Sequence, residues 1–184
     1  MARVYIGGPS GSGKTAACGL VAQELGISSL TGSQIMMQAA GISTRSELEN
    51  LLEETKQDLR LHAFEDYYKM TPNLVIDGHF YLTEIDIRYF DAYVLVDIDT
   101  PRLIEFRMAD GARERSLDPL DIAKETQELH QRVEKLESDF GIRVIRVKNE
   151  GTLEELSRSV EGAYISACPL ETRVELLNRG KERR

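Results

Sequence analysis

The sequence predicts an α/β fold, a parallel sheet with helices packed on both of its faces. Three observations predict it. Short apolar runs recur at Arg3–Gly7 (RVYIG), Asn73–Asp77 (NLVID), Ala92–Asp97 (AYVLVD) and Ile142–Val147 (IRVIRV). These runs are apolar rather than strictly alternating, as strands covered on both faces are. Segments of helical period separate them, so strands and helices alternate from one end of the chain to the other. A glycine-rich turn joins the first strand to the first helix, and no internal repeat is visible.

Each element has a local reason. The first helix runs from Lys14 to about Leu25, and Gly26 is a natural stop. Ser28–Gly32 can hold a short second strand, with Ser33 as the N-cap of a helix through Ala40. Thr44–Tyr68 is the longest helical pattern, with Leu48, Leu51, Leu52, Leu59 and Ala63 at helical spacing and Pro72 marking its end. Pro101 fits the first turn of the helix after the third clear strand. Arg107–Pro119 reads as a charged, glycine-containing loop, Leu120–Phe140 as a helix, and Leu153–Ile165 as the last core helix.

The bulk numbers bound the answer. A length of 184 residues suggests one domain, placed at 1–166, with a tail at 167–184. A net charge of −8 argues against an extended nucleic-acid interface, which is ordinarily basic. No apolar run approaches the ~18 residues that span a bilayer. The chain enters a strand-like run directly after Met1, so no signal peptide is expected and the cytoplasm is the default compartment. Cys18 and Cys168 are far apart and form no metal-type cluster, so two buried, reduced thiols are expected. Residues 171–184 carry five Lys/Arg against three Asp/Glu. A solvated end is the plain reading of this tail, and a contact with a second copy or a protein partner is the functional one. The final GKERR is expected to be frayed.

The chemistry begins at Gly8-Pro9-Ser10-Gly11-Ser12-Gly13-Lys14-Thr15, which matches GxxxxGK[ST], the P-loop, at every fixed position. Glycines let the backbone turn so that N–H groups point at one anion. The following helix presents its N-terminus to the same phosphates. Lys14 brings a positive charge to the β- and γ-phosphates, and the Thr15 hydroxyl can ligate Mg²⁺. Asp77, at the C-terminal end of a buried strand, is the second acidic group placed to hold a metal-bound water. Asp97 and Asp99 also follow a strand, but Asp99 is equally well an N-cap before Pro101.

Other P-loop classes lack their marks. Neither NKxD nor DxxG occurs in the chain, which argues against a GTPase switch. A motor or transporter ATPase usually carries a glutamate after the strand aspartate, whereas this chain has Gly78. A kinase needs cations that close over the transferring phosphoryl group. Arg107, Arg113 and Arg115 lie in one short segment with Asp110 and Gly111 between them, a reading of the segment at about 107–119 as an arginine-bearing lid.

These residues resemble the small adenylate kinases, specifically the archaeal-type enzymes, over most of residues 3–165. Leu30-Thr31-Gly32-Ser33 followed by Met36, Met37 and Arg45 looks like that family's acceptor-nucleotide helix. Val75-Ile76-Asp77-Gly78-His79 is similar to its strand-end acidic segment. Arg107–Asp118 looks like its lid, His130-Gln131 like the helix after it, and Val147-Lys148-Asn149-Glu150-Gly151 like the loop over the donor adenine. The resemblance implies a three-layer sandwich around a five-stranded parallel sheet, with Mg²⁺ and ATP as donor and a nucleoside monophosphate, foremost AMP, as acceptor. It implies Asn149 on the nucleotide, Ser33, Met37 and Arg45 on the acceptor within helices at about 31–70, and His79 on the acceptor from the strand-end segment. Two positions depart from that pattern. Glu49 stands where the family places a second arginine, and Lys135 where it places another. A glutamate beside a monophosphate repels it, so a different small acceptor or a nucleotide-gated partner protein stays open.

Overall fold

A computed structural model of the chain describes residues 2–52, 54–56, 58–59, 62, 71–80, 87–110, 115–174 and 176. Its strands are β1 (Arg3–Gly7), β2 (Ser28–Thr31), β3 (Leu74–Gly78), β4 (Ala92–Asp97) and β5 (Val144–Lys148). They form one parallel sheet in the order β2-β3-β1-β4-β5. The first strand therefore lies at the centre, and the chain leaves it between β3 and β4, where the strand order reverses. Such a switch point opens a crevice at the carboxyl ends of the strands.

The helices are α1 (Lys14–Leu25), α2 (Gly32–Ala40), α3 (Arg45–Glu49), α4 (Thr100–Asp110), α5 (Pro119–Phe140) and α6 (Leu153–Ala167). The pleat sorts the strand side chains to two cores. Val4, Ile6, Val75, Val94 and Val96 pack with Ala17, Val21 and Leu25 of α1 and with Val160 and Tyr164 of α6. Tyr5, Leu74, Ile76, Tyr93 and Leu95 face the other way, onto Ile35 of α2 and Leu129, Val133 and Leu136 of α5. That is the three-layer arrangement, and both faces of each central strand are dry.

Three expectations are corrected. The cap of α2 is Thr31, not Ser33: the Thr31 hydroxyl accepts from Gln34 N–H while the Gln34 side chain accepts from Thr31 N–H, a reciprocal capping box. The long helix from Thr44 breaks early. Thr44 caps α3 through Glu47, but α3 ends at Glu49 with Asn50 as its cap. Leu51 N–H then bonds back to Leu48, and Lys56 N–H to Leu52, and the described residues 54–56, 58–59 and 62 are helical again. Leu48 is buried and Leu52 is 75% exposed, so the leucine spacing does not mark one continuous buried stripe. Most of residues 57–70, where the rest of that helix was expected, lie outside the described residues. Finally, Arg107 is not in a loop, because α4 continues through it to Asp110.

The beginning of the tail packs on its own domain. Leu176 is buried in the α1/α6 core, and Arg173 Nε donates to the Cys168 carbonyl at 2.6 Å, near the end of α6. The final GKERR lies outside the described residues. Cys18 and Cys168 are both free and buried, and burial pushes both thiols up. No described helix is long and apolar enough to cross a membrane.

Candidate active site

The site is built where β1 ends. Gly7 and Gly78 are register partners on neighbouring strands. A Cβ on Gly7 would collide with the Phe80 ring, and one on Gly78 with the Tyr5 hydroxyl. Glycine at both positions lets this aromatic packing reach directly beneath the turn. Above it, Gly11 (φ +90°) and Gly13 (φ +80°) take left-handed conformations that close the P-loop.

Helix α1 starts at Gly13 with no side-chain cap, whereas Thr31, Thr44, Asp118 and Thr152 cap α2, α3, α5 and α6. Its first N–H groups are therefore left for an anion, and the helix dipole favours one there. Lys14 is buried and its Nζ donates to the Pro9 carbonyl at 3.1 Å. Burial lowers its pKa to about 8, with the Asp77 carboxylate acting in the opposite sense. Thr15 Oγ1 donates to Asp77 Oδ2 at 2.6 Å, and Asp77 is buried at the end of β3. These two hard oxygens fit a magnesium ion shared with phosphate oxygens. Among the described residues no group of three His, Cys, Asp or Glu could hold a metal without such help.

The remaining P-loop residues are held from below and above. Asn149 is buried, its side-chain amide donates to the Ser12 carbonyl at 2.9 Å, and its own N–H bonds to the Asp97 carbonyl. The structure thus places Asn149 beneath the turn as a support. The Asn149 Oδ1 and the fully buried Ser12 Oγ have no hydrogen-bond partner among the described residues. Arg102 donates to the Gly151 carbonyl and lies 5.1 Å over the Phe106 ring, tying α4 to the loop expected over the donor base. A recess of about 510 Å³ opens beside that loop, lined in part by Lys148, Gly151, Glu155 and Arg158. The Asp99 carboxylate accepts from Arg102 N–H at 2.9 Å, so Asp99 does the work of a cap. Asp97 sits 3.3 Å from His130 of α5.

Two of the three lid arginines meet the P-loop. A Cβ on Gly11 would touch Arg107 Cγ at 3.0 Å and Arg115 at 3.1 Å. Arg115 pairs with Asp110 at 2.7 Å. Arg107 donates from Nε to the Ser10 carbonyl at 3.0 Å, from one terminal nitrogen to the Ser116 carbonyl at 3.0 Å, and from the other to Glu125 at 2.5 Å. Arg113 and the rest of residues 111–114, in the segment expected to form a lid, lie outside the described residues.

On the acceptor side, Ser33, Met36 and Met37 are half-buried along α2. Arg45 is exposed and its Nε lies 2.9 Å from Glu49 one turn on. His79 follows Asp77 and Gly78 out of β3, and its pKa is lowered to about 4 by burial first, then by the nearby charges of Lys14, Arg45 and Arg132, against the opposing Glu125. Arg45, Arg132 and Glu125 thus lie near enough for their charges to act on His79. Lys135, by contrast, is on the exposed face of α5. Arg132 and Glu125 were not read from the sequence. The buried stripe Ile122, Leu129, Val133 and Leu136 could have placed them beside the sheet, because each lies next to a stripe residue in helical projection.

Comparison with known proteins follows this geometry. Solved structures similar to the chain include a shikimate kinase from Aquifex aeolicus, with 22% identity, TM-score 0.61, and coverage of 86% of this chain and 92% of that one. A shikimate kinase from Acinetobacter baumannii in complex with shikimate aligns at TM-score 0.66 and 16% identity, covering 90% and 94% of the two chains. A gluconokinase from Sinorhizobium meliloti aligns at TM-score 0.58 and 17% identity, covering 90% and 92%. At these identities they establish the shared fold. No curated protein matches the chain by sequence. A protein-family model described as an AAA domain matches residues 7–124, from the end of β1 through the P-loop, β3, β4 and the lid into α5, and the chain belongs to that family of P-loop proteins.

Proposed function

We propose that the chain is an ATP-dependent kinase that transfers the terminal phosphoryl group to a hydroxyl of a small metabolite. The observation that carries this reading is the Thr15–Asp77 pair at 2.6 Å, set beside Lys14 and followed by Gly78. The side chains that would hold a metal at a P-loop stand together there, yet the position after the strand aspartate offers no carboxylate to orient water. In the transfer, the bond from the γ-phosphorus to its bridging oxygen breaks and ADP leaves, a bond to the acceptor oxygen forms, and the hydroxyl proton passes to water. Lys14 and the uncapped start of α1 hold the phosphates, and Arg107, Arg113 and Arg115 supply positive charge as it spreads over the phosphoryl oxygens. Bound magnesium, held through Thr15 and Asp77, would neutralise part of the same charge.

The resemblance to adenylate kinases favoured AMP as acceptor. Two observations support another small metabolite instead. Arg45, the acceptor-side arginine, is already engaged by Glu49, which places a negative charge where a monophosphate dianion would have to approach. Solved structures similar to this chain include shikimate kinases and a gluconokinase. Arg45, Arg132 and the neutral His79 suit an acceptor that pairs a hydroxyl with a single negative charge, such as a hydroxylated carboxylic acid.

A coupled ADP-release assay with Mg-ATP tests this. Shikimate and gluconate form one arm, and AMP, CMP, UMP, GMP and dTMP the other, with Lys14→Ala as control. Stimulation by a hydroxylated acid supports the proposal. Stimulation by one monophosphate returns the case to a nucleoside monophosphate kinase. ATP binding with no stimulated turnover in either arm points to the nucleotide-gated partner protein.

A further inference from the structure

We propose that Glu125 is a positioning residue of the donor site, whose carboxylate holds Arg107 and the lip of the phosphate cradle until the terminal phosphate of the donor takes both over. The inference rests on the reading that the P-loop binds ATP.

Three groups form a closed ring. Ser10 N–H donates to Glu125 Oε1 at 3.2 Å. Arg107 donates to Glu125 Oε2 at 2.5 Å and, through Nε, to the Ser10 carbonyl at 3.0 Å. The ring joins residues 115 positions apart, from the P-loop and from α5, with α4 supplying the third corner. A P-loop N–H is a donor meant for an anion, and here the anion is a side chain. An ion pair that served only to fasten α4 to α5 would not need that N–H.

The burial is uneven in a telling way. The Arg107 side chain is 2% exposed and that of Glu125 is 37% exposed. The carboxylate can therefore swing outward without crossing the core, while Arg107 stays held by the Ser10 and Ser116 carbonyls with its stem against Gly11. The charge of Glu125 also acts on both Lys14 and His79. The start of α1, at Gly13 to Thr15, meets the phosphates on the helix axis. Ser10 and Gly11 form the opposite lip, where Arg107 and Arg115 converge. A donor whose inner phosphates lie at the start of α1 would bring its terminal phosphate to this lip, so ATP and not ADP would have to displace the carboxylate.

The test is a titration calorimetry comparison of Mg-ATP and Mg-ADP on the full chain, for the parent, Glu125→Gln and Glu125→Ala. Removing the like charge should tighten Mg-ATP by about fivefold or more and Mg-ADP by less than about twofold. Unchanged or weaker Mg-ATP binding overturns the proposal, as does an equal gain for both nucleotides. A purely structural Glu125 would lower the melting temperature and leave the ATP-to-ADP ratio where it was. If Glu125→Ala does not fold, Glu125→Gln, which keeps an acceptor oxygen for Arg107, decides alone. Lys14→Ala separates the two levels of inference. Should ATP binding survive that change, the donor site itself is misassigned. Should it vanish there while Glu125→Gln leaves the ATP-to-ADP ratio unmoved, only the role of Glu125 falls.

Discussion

Thr15 Oγ1 donates to Asp77 Oδ2 at 2.6 Å although 62 residues separate them. Parallel pairing of β1 with β3, in a register that sets Ile6 against Asp77, makes the contact. It brings the first turn of α1 to the end of the neighbouring strand, and so joins the phosphate cradle to a carboxylate. Asp77→Asn keeps the shape and removes the charge. The variant should bind ATP in EDTA as the parent does and lose about 10- to 100-fold of its affinity for Mg-ATP. Calorimetry with and without the metal measures this, and an equal loss in both conditions would reduce Asp77 to a structural role.

Lys14 makes a prediction about pH. Burial, opposed by Asp77 and Cys18, lowers it from 10.5 to about 8. Between those two values the unfolded chain holds a proton on this amine that the folded chain has released. The ligand-free protein should therefore gain stability as pH rises through that window. Below pH 8 the fold carries a buried charge, at a cost of about 3 kcal/mol. Lys14→Met should raise the ligand-free melting temperature at pH 7, flatten its rise above pH 8, and abolish ATP binding. In the parent, ATP affinity should fall from pH 8 upward, because the phosphates need the charged amine. A variant that melts lower at pH 7 would contradict the assignment.

The parts legible in the sequence were those written in local patterns. The P-loop is eight consecutive residues, and β1, β3 and β4 are apolar runs, whereas their order in the sheet is set by long-range pairing that no local pattern shows. Polar contacts between distant elements have no such periodicity. Nothing near Ser10 announces Glu125, and Arg107 reads as lid because charged residues surround it, although α4 carries it into the protein. The break after Glu49 was hidden for the opposite reason. Leu51 and Leu52 keep a helical rhythm, but Leu52 finds no core to enter. The Thr31–Gln34 capping box, by contrast, is a local pattern, and it competes in the sequence with Ser33 two residues on.

Gly78 should be irreplaceable for a reason that can be relieved. Its added Cβ would run into the Tyr5 hydroxyl, with the ring carbon behind it at 3.0 Å. Tyr5 cannot turn aside freely, because Phe80 and Phe90 pack edge-on against it at 5.5 and 5.2 Å. Gly78→Ala should destabilise by about 1–3 kcal/mol. Tyr5→Phe in the same chain should recover part of that loss, measured by urea unfolding against Tyr5→Phe alone. No recovery would mean that the backbone, not this collision, requires glycine.

His79 predicts a slope on the acid side. Its pKa stands near 4 against an ordinary 6.5, with burial as the main cause. From pH 6.5 down to 4 the unfolded chain takes up a proton that folded His79 refuses, so stability should fall across that range. His79→Gln should flatten this part of the melting-temperature profile. An anionic acceptor bound beside His79 should also draw in a proton near pH 5, which calorimetry in buffers of different ionisation enthalpy detects. The same slope in both proteins would assign the acid sensitivity elsewhere.

Glu49 offers the sharpest division between acceptor classes. Its pair with Arg45 is 2.9 Å long, but the two side chains are 65% and 45% exposed. A pair so open to solvent contributes only about 0–1 kcal/mol, so Glu49→Gln should leave folding stability within about 0.5 kcal/mol. Its effect on a bound anion should be larger, because a carboxylate next to Arg45 cancels the charge the anion seeks. The repulsion grows with the charge of the ligand. Glu49→Gln should therefore strengthen AMP binding by about tenfold and that of a singly charged hydroxylated acid by about threefold. A gain confined to AMP would mean that Glu49 excludes monophosphates from a site made for another acceptor. If neither ligand responds, Arg45 lies outside the acceptor site, and Arg132 with His79 must hold the acceptor without it.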